Sequence, residues 1–236
     1  MTDNNQDTET MALRSGDCCT LRRLAGDIEI QQAYALHNAV AENTDRTFVY
    51  PKSLKEITKL VNAPNYTFGA MLGNNTEHSL IGKLCVNMHP KADDIIYAGD
   101  IPNTAVIGCM TTAGGWHNQG LNSRLLGYSL RQIQSLEPRL SRMVAISTYC
   151  NPGSWVSLMR VGFNIIGAGR DNSDGSDVYA LSYDMCPAAR QYGATRSMAI
   201  DTVSNDFPSI QNMLNNGWRA VGIQDKMVIF MQPRGR

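Results

Sequence analysis

No sign of charge prevails in this sequence: 21 Lys and Arg stand against 21 Asp and Glu, and the two signs are interspersed. The basic surplus that neutralises a phosphate backbone is therefore missing, which argues against RNA or DNA as the main partner. No apolar run approaches the about 20 residues that span a bilayer. The opening MTDNNQDTET is polar and acidic, unlike a secretory leader, so no membrane association is expected. Six cysteines are scattered without metal-ligand spacing, so neither a metal site nor a disulfide framework is expected. Reduced thiols in a soluble, cytoplasmic protein are the expectation instead. At 236 residues the chain is long enough for one full domain and an appendage.

What is present is concentrated between Thr112 and Phe163. Ala105 to Thr112 (AVIGCMTT) is a short apolar run bounded by turn signals, which predicts a buried strand. Gly114, Gly115 and Gly120 follow, and from Leu121 apolar residues recur at helical spacing through Leu125, Leu126, Leu130, Ile133 and Leu136. A turn that feeds a helix N-terminus exposes unpaired backbone N–H groups at the positive end of the macrodipole, which suits a phosphate or pyrophosphate. Glycine at position 120 lets backbone approach such an anion without a Cβ between.

A second strand, Met143 to Tyr149, leads into NPGSWVSLMRVGF. Pro152 sits at the first helical position, where its missing N–H costs nothing, and Gly162 stands where a left-handed cap ends the helix. By themselves Asn151 and Gly162 read as an N-cap and a C-cap.

The two elements together resemble the acyl-coenzyme A site of the GNAT superfamily of N-acetyltransferases. That family's phosphate loop, Arg/Gln-x-x-Gly-x-Gly/Ala within RGxGIGxxLL, falls on His117, Asn118, Gln119, Gly120, Leu121, Asn122, Ser123 and Arg124 to Leu126. His117 and Asn122 depart from it. Its second signature, Asn-x-x-Ala-x-x-x-Tyr-x-x-x-Gly-Phe, falls on Asn151, Ser154, Leu158, Gly162 and Phe163 with every spacing kept. The resemblance covers residues 18 to 185 and implies a mixed α/β fold, a twisted, mostly antiparallel sheet flanked by helices.

It also implies a function: transfer of an acetyl or other short acyl group from acyl-CoA, used as cosubstrate, to a primary amine of a small molecule or protein. Met110, Thr111 and Thr112 would offer backbone groups to the pantetheine arm, and residues 117 to 123 would hold the pyrophosphate. Asn151, Ser154 and Leu158 would line the arm near the thioester. Most members carry Tyr where this chain has Leu158, and leucine has no proton for the departing thiolate. Tyr149 or Ser157 would supply it, or the thiolate would leave unaided, a free thiol's pKa lying near about 8.5. The alternative is a catalytically silent acyl-CoA-binding module. Transfer from aminoacyl-tRNA by a related fold is disfavoured by the neutral charge. For the base that frees the amine, the candidates are Asp93, Asp94, Asp100 and His89, each of which also reads as a solvated residue. Cys109 and Cys150, on the two strands that would flank the thioester, are conceivable acyl acceptors.

Upstream, residues 1 to 16 are expected to be disordered. A strand over Cys19 to Leu24 then leads to a helix with Asp27 as N-cap and Ile30, Ala33, Tyr34, His37 and Val40 on one side. Ser53 and Glu56 form a capping-box pattern for a second helix, and strands are expected over Tyr66 to Leu72 and Leu80 to Met88. Phe48, Tyr50, Met71, Met88, Met110 and Met143 read as core in preference to an acyl or aromatic pocket. The acyl-CoA domain is set at 17–186.

The remainder, 187–236, is a strand-helix-strand extension that echoes residues 142–184. RSMAIDTVSN, from Arg196, lines up with RMVAISTYCN, from Arg142, 54 residues earlier. After one extra residue Ser209, Gly217, Trp218 and Gly222 match Ser154, Gly162, Phe163 and Gly167. The extension has no phosphate loop of its own. Its strands either lengthen the sheet as a partial second domain or pair with another subunit in a homodimer, since such a fragment cannot bury both faces alone.

Overall fold

The computed structural model describes residues 8–44, 49–73, 79–90, 103–171, 175–185, 194–201, 207–224 and 227–233. The chain divides into two compact units, one of residues 1–89 and 107–136, the other of residues 90–106 and 137–236.

In the first unit, β1 (Glu9–Ala12), β2 (Cys18–Arg23), β3 (Tyr66–Leu72) and β4 (Ser79–Asn87) pair antiparallel in chain order. β5 (Thr104–Thr112) comes next to β4, its residues from Ile107 lying in this unit. β1 is a correction: residues 8–16 were expected to be disordered, yet Met11 and Leu13 are buried and Glu9 pairs with Arg131. Helices α1 (Asp27–Glu42) and α2 (Leu54–Val61) cover the sheet through a core of Leu24, Ile30, Ala33, Leu36, Ile57, Val61, Met71 and Leu80. Asp27 is not the N-cap of α1. Gly26 takes that place at φ 93, and Asp27 and Glu29 lie in the first turn, where a negative charge complements the dipole. The capping box of α2 forms as its sequence predicts: Glu56 N–H donates to Ser53 Oγ at 3.3 Å, and Ser53 N–H donates to Glu56 Oε2 at 2.8 Å.

A close approach fixes α3 (Leu121–Leu136) on the sheet. A Cβ on Gly82 of β4 would lie 2.9 Å from Leu121 Cδ2, so a larger residue there would make the Leu121 side chain shift. Leu121, Leu125, Leu126, Leu130 and Ile133 are buried, which is the helical stripe read from the sequence, whereas Leu136 is exposed.

The second unit contains β6 (Arg142–Thr148), α4 (Pro152–Arg160), β7 (Asn164–Arg170), β8 (Asp177–Asp184), β9 (Ala194–Asp201), α5 (Phe207–Asn215), β10 (Arg219–Gln224) and β11 (Met227–Pro233). Its strands are ordered β6-β8-β7-β10-β11-β9, each neighbouring pair antiparallel. That order reads the same from either end if the halves 142–184 and 194–233 are exchanged, so the internal echo is a structural repeat.

The match extends to detail. Both helices end in the same cap: Gly162 N–H reaches Met159 O and Phe163 N–H reaches Leu158 O, as Gly217 N–H reaches Leu214 O and Trp218 N–H reaches Met213 O. Both glycines have positive φ, 103 and 84. A bulge falls between Ile165 and Gly167 in one half and between Ala220 and Gly222 in the other. Where the halves meet, Ile165 pairs with Ala220, its own counterpart. Only the first strand slips. Leu181 faces Ile165 and Ala145, while its counterpart Phe230 faces Ala220 and Met198, so Met198 takes the place that the sequence match gave to Ala199.

Of the two expectations for the tail, the sheet is thus lengthened within the same chain. The halves also interlock, because α4 packs on β10 and α5 on β7. Gln211 of α5 donates to the Ala168 carbonyl at 3.1 Å. Trp155, Tyr149, Tyr179 and Phe207 form an edge-on and tilted ring cluster with centroids 5.2 to 5.8 Å apart.

Candidate functional site

In the first unit, β5 ends at Thr112, a single 3-10 turn spans Gly114–Trp116, and α3 starts at Leu121. The intervening loop bends through two left-handed residues, Asn118 at φ 62 and Gly120 at φ 77. Nothing lies within 4 Å of where a Cβ on Gly120 would sit, so the space over its backbone is open. The two departures from the expected loop pattern turn out to share one anchor. His117 Nε2 lies 3.1 Å from the Thr112 carbonyl, and the Thr112 hydroxyl donates to Asn122 Oδ1 at 2.5 Å. Gln119 Oε1 accepts from Ser15 N–H at 3.0 Å, which ties the loop to the segment just after β1. The loop held this way leads into the positive end of a 16-residue helix. Met110 and Thr111 are carried on the same strand, Met110 partly exposed and Thr111 buried. Ser123 is partly buried in the first turn of α3.

In the second unit, Asn151 precedes α4 with φ −110 and ψ 75 and makes no capping bond through its side chain, so it is not an N-cap in the usual sense. Ser154 is partly exposed in the first turn. Leu158 is 2% exposed and belongs to the core. The Ser157 hydroxyl donates to the Gly153 carbonyl at 2.6 Å, inside its own helix. Tyr149 lies in the aromatic cluster and its carbonyl accepts from Trp155 Nε1 at 3.1 Å. His89 is exposed just beyond β4, and Cys150 is exposed at the start of the turn into α4. Asp93, Asp94, Asp100 and Phe48 lie outside the described residues. Of the apolar residues expected to be core, Met71 and Met143 are buried and Tyr50 is exposed.

Sequence reasoning missed a buried polar cluster in the first unit. Lys83, in the middle of β4, is 0% exposed. Its ammonium lies 3.3 Å from His37 Nδ1, 3.2 Å from the Cys109 carbonyl and 4.0 Å from Cys85 Sγ. His37 Nε2 lies 2.8 Å from the Tyr50 carbonyl. A neutral ring protonated on Nε2 satisfies both of its contacts. Burial, with the Lys83 charge second, lowers the His37 pKa to about 4. Cys85 and Cys109 are within hydrogen-bonding reach of each other. The bond from Cys109 lowers the Cys85 pKa to about 6 against burial, with Lys83 assisting, and the same bond raises that of Cys109. Thr67 Oγ1 has one proton for two acceptors, Leu60 O at 2.8 Å and Cys85 Sγ at 3.3 Å. Cys109 itself adopts φ 52, an uncommon conformation for a residue with a Cβ. The signal available in the sequence was a lysine inside the apolar strand SLIGKLCVN.

No protein-family model and no curated protein matches the chain. Solved structures do. The GNAT domain of Streptomyces lividans PAT superposes with a TM-score of 0.54 at 16% identity, covering 75% of this chain and 96% of that one. The ribosomal-protein-S5-alanine acetyltransferase of Vibrio fischeri gives 0.54 at 14%, covering 76% and 98%. A GNAT phosphinothricin acetyltransferase of Sinorhizobium meliloti, solved in complex with AcCoA, gives 0.53 at 14%, covering 70% and 88%. At such identities the likeness is one of fold: the chain has the mixed α/β GNAT fold, a mostly antiparallel sheet flanked, among the described residues, by five α-helices.

Proposed function

We propose that the protein is an acyltransferase that moves an acetyl or other short acyl group from acyl-CoA to a primary amine of a small molecule or protein. The observation that carries the reading is the loop before α3. Gly120 is left-handed, the space above it is open, and a Cβ there would fill the room that a pyrophosphate oxygen needs. The fold neighbours, one of them solved with AcCoA, support the same ligand.

Residues 117–123 would bind the pyrophosphate through backbone N–H groups, and Met110 to Thr112 would lie along the pantetheine arm. Asn151, Ser154 and Leu158 are assigned to the arm by their signature, to be tested by variants of their own. The coenzyme supplies an activated acyl group. The chain's part is to hold it, exclude water and polarise the carbonyl. Tyr149 and Ser157 remain the proposed sources of the thiolate's proton.

Two observations favour a second reading. Leu158 is in the core and cannot donate a proton, and the Ser157 hydroxyl is engaged by Gly153, as a silent acyl-CoA-binding module would tolerate. Calorimetric titration with acetyl-CoA of the full chain and of Gly120→Glu, followed by an amine screen, separates the readings. Micromolar binding lost in the variant, with turnover of any amine, supports the transferase; binding without turnover leaves the silent module; no binding by folded protein overturns both.

A further inference from the structure

A fully buried lysine needs a negative partner, since an unpaired ammonium in the interior costs several kcal/mol. Among the described residues no carboxylate pairs with Lys83. Its three donors instead meet a ring nitrogen, a carbonyl and the sulfur of Cys85. A thiolate on the Cys85–Cys109 pair would balance it. His37, neutral on Nδ1, accepts from the ammonium and leaves its charge to that sulfur.

We propose that Cys85 and Cys109 form a reactive dithiol site whose substrate class is a hydroperoxide, which oxidises the pair to a disulfide between β4 and β5. The inference stands on the side-chain cluster and is independent of any role for acyl-CoA. Cys85 is the attacking sulfur because the Lys83 ammonium and the Thr67 hydroxyl both lie against it, and the bond from Cys109, with Lys83 assisting, lowers its pKa. Cys109 is the resolving thiol: it is within reach of Cys85 and is only partly buried.

The electrons balance with one peroxide per pair. The Cys85 thiolate attacks the terminal oxygen, the O–O bond breaks, and the leaving hydroxide or alkoxide takes a proton to become water or an alcohol. Cys85 is now a sulfenic acid. The Cys109 sulfur attacks it, the S–O bond breaks, and hydroxide departs with the Cys109 proton as water. Two thiols are oxidised by two electrons and the peroxide is reduced by two.

The test uses the full chain treated with one equivalent of hydrogen peroxide at neutral pH, then blocked with iodoacetamide and mapped. Trypsin separates the sites, because Lys91 lies between Cys85 and Cys109 and releases them on peptides 84–91 and 92–124. The expected product is those two peptides joined, about 2 Da below their sum and released by dithiothreitol. Cys85→Ser and Cys109→Ser should each abolish the joined species. Cys109→Ser should retain a trappable sulfenic acid at Cys85, a readout that a packing defect would not produce. Lys83→Met, checked for folding by circular dichroism, should slow the oxidation at least tenfold. Failure to join the peptides while both cysteines survive as thiols, or an oxidation rate in Lys83→Met equal to that of the wild type, would overturn the proposal.

Discussion

Replacing Gly120 by alanine separates the conformational role of the residue from its place beneath an anion. At φ 77 a Cβ is strained whatever surrounds it, and the cost is about 1–2 kcal/mol. Nothing lies within 4 Å of that Cβ, so no clash adds to it. Gly217 offers a matched control: φ 84, equally open, but at the end of α5, far along the chain from the loop. Both variants should therefore lose similar stability, a melting shift of about 2–4 °C per kcal/mol for a chain of this size. Their affinities should diverge. If a phosphate oxygen rests on the loop, the new methyl displaces it from at least one charge-assisted N–H bond, worth about 1.5–3 kcal/mol, or roughly 10- to 150-fold in Kd. Isothermal titration with acetyl-CoA at 25 °C reads this directly. Gly217→Ala should bind as the wild type does. Gly120→Ala binding within about twofold of wild type would refute the placement of the pyrophosphate, since so small a change is far below one such bond.

Leu158→Ala should destabilise the protein by about 2–5 kcal/mol, because it removes a core side chain that is 2% exposed; urea unfolding that changes by less than about 1 kcal/mol would mean the site collapses around the loss. Gly82→Ala would press on Leu121 Cδ2 and move the start of α3, so acetyl-CoA binding should weaken even though residue 82 lies outside the loop; unchanged affinity would show that Leu121 yields freely. His37 has its folded pKa depressed from 6.5 to about 4, so the unfolded chain binds the extra proton first. Its contribution to stability is complete above pH 6.5 and is lost as the pH falls toward 4, by at most about 3 kcal/mol at 1.36 kcal/mol per pKa unit. The groups facing the ring are Lys83, Lys52, Glu56 and the Tyr50 carbonyl. Urea midpoints at pH 7 and pH 4.5 should fall more for the wild type than for His37→Gln, and equal falls would refute the assignment.

Local grammar carried much of this fold into the sequence. Ser53 and Glu56 announced α2, Pro152 and Gly162 bracketed α4, and the stripe from Leu121 to Ile133 defined α3, because each depends on neighbours within a few residues. Asp27 was misread as a cap since Gly26 at φ 93 precedes it, a conformation that a list of cap residues does not reveal. β1 was missed because a four-residue strand carries little local signal and is held by distant partners, Cys18 to Leu21 in β2 and Arg131 in α3. In the candidate site, the loop glycine was legible, but the joint anchoring of His117 and Asn122 on Thr112 was not. Nor was the meeting of His37, Lys83, Cys85 and Cys109, which sit on three separate elements; only tertiary structure brings them together. The repeat was visible through its glycines, and the one-residue slip of β9 was hidden because side-chain identity and strand register are set by different forces.

The meeting of Ile165 with Ala220 has a consequence for how this chain closes its own sheet. Two identical subunits that met at this edge would pair equal residues across a two-fold axis, and their union would dissolve on dilution. Here the opposing half is covalently tethered, so the edge of β7 is sealed at a local concentration set by the chain itself and insensitive to how much protein is present. The tethered half need not keep a phosphate loop to serve that purpose. The sealed edge is withheld from stray strands of other chains.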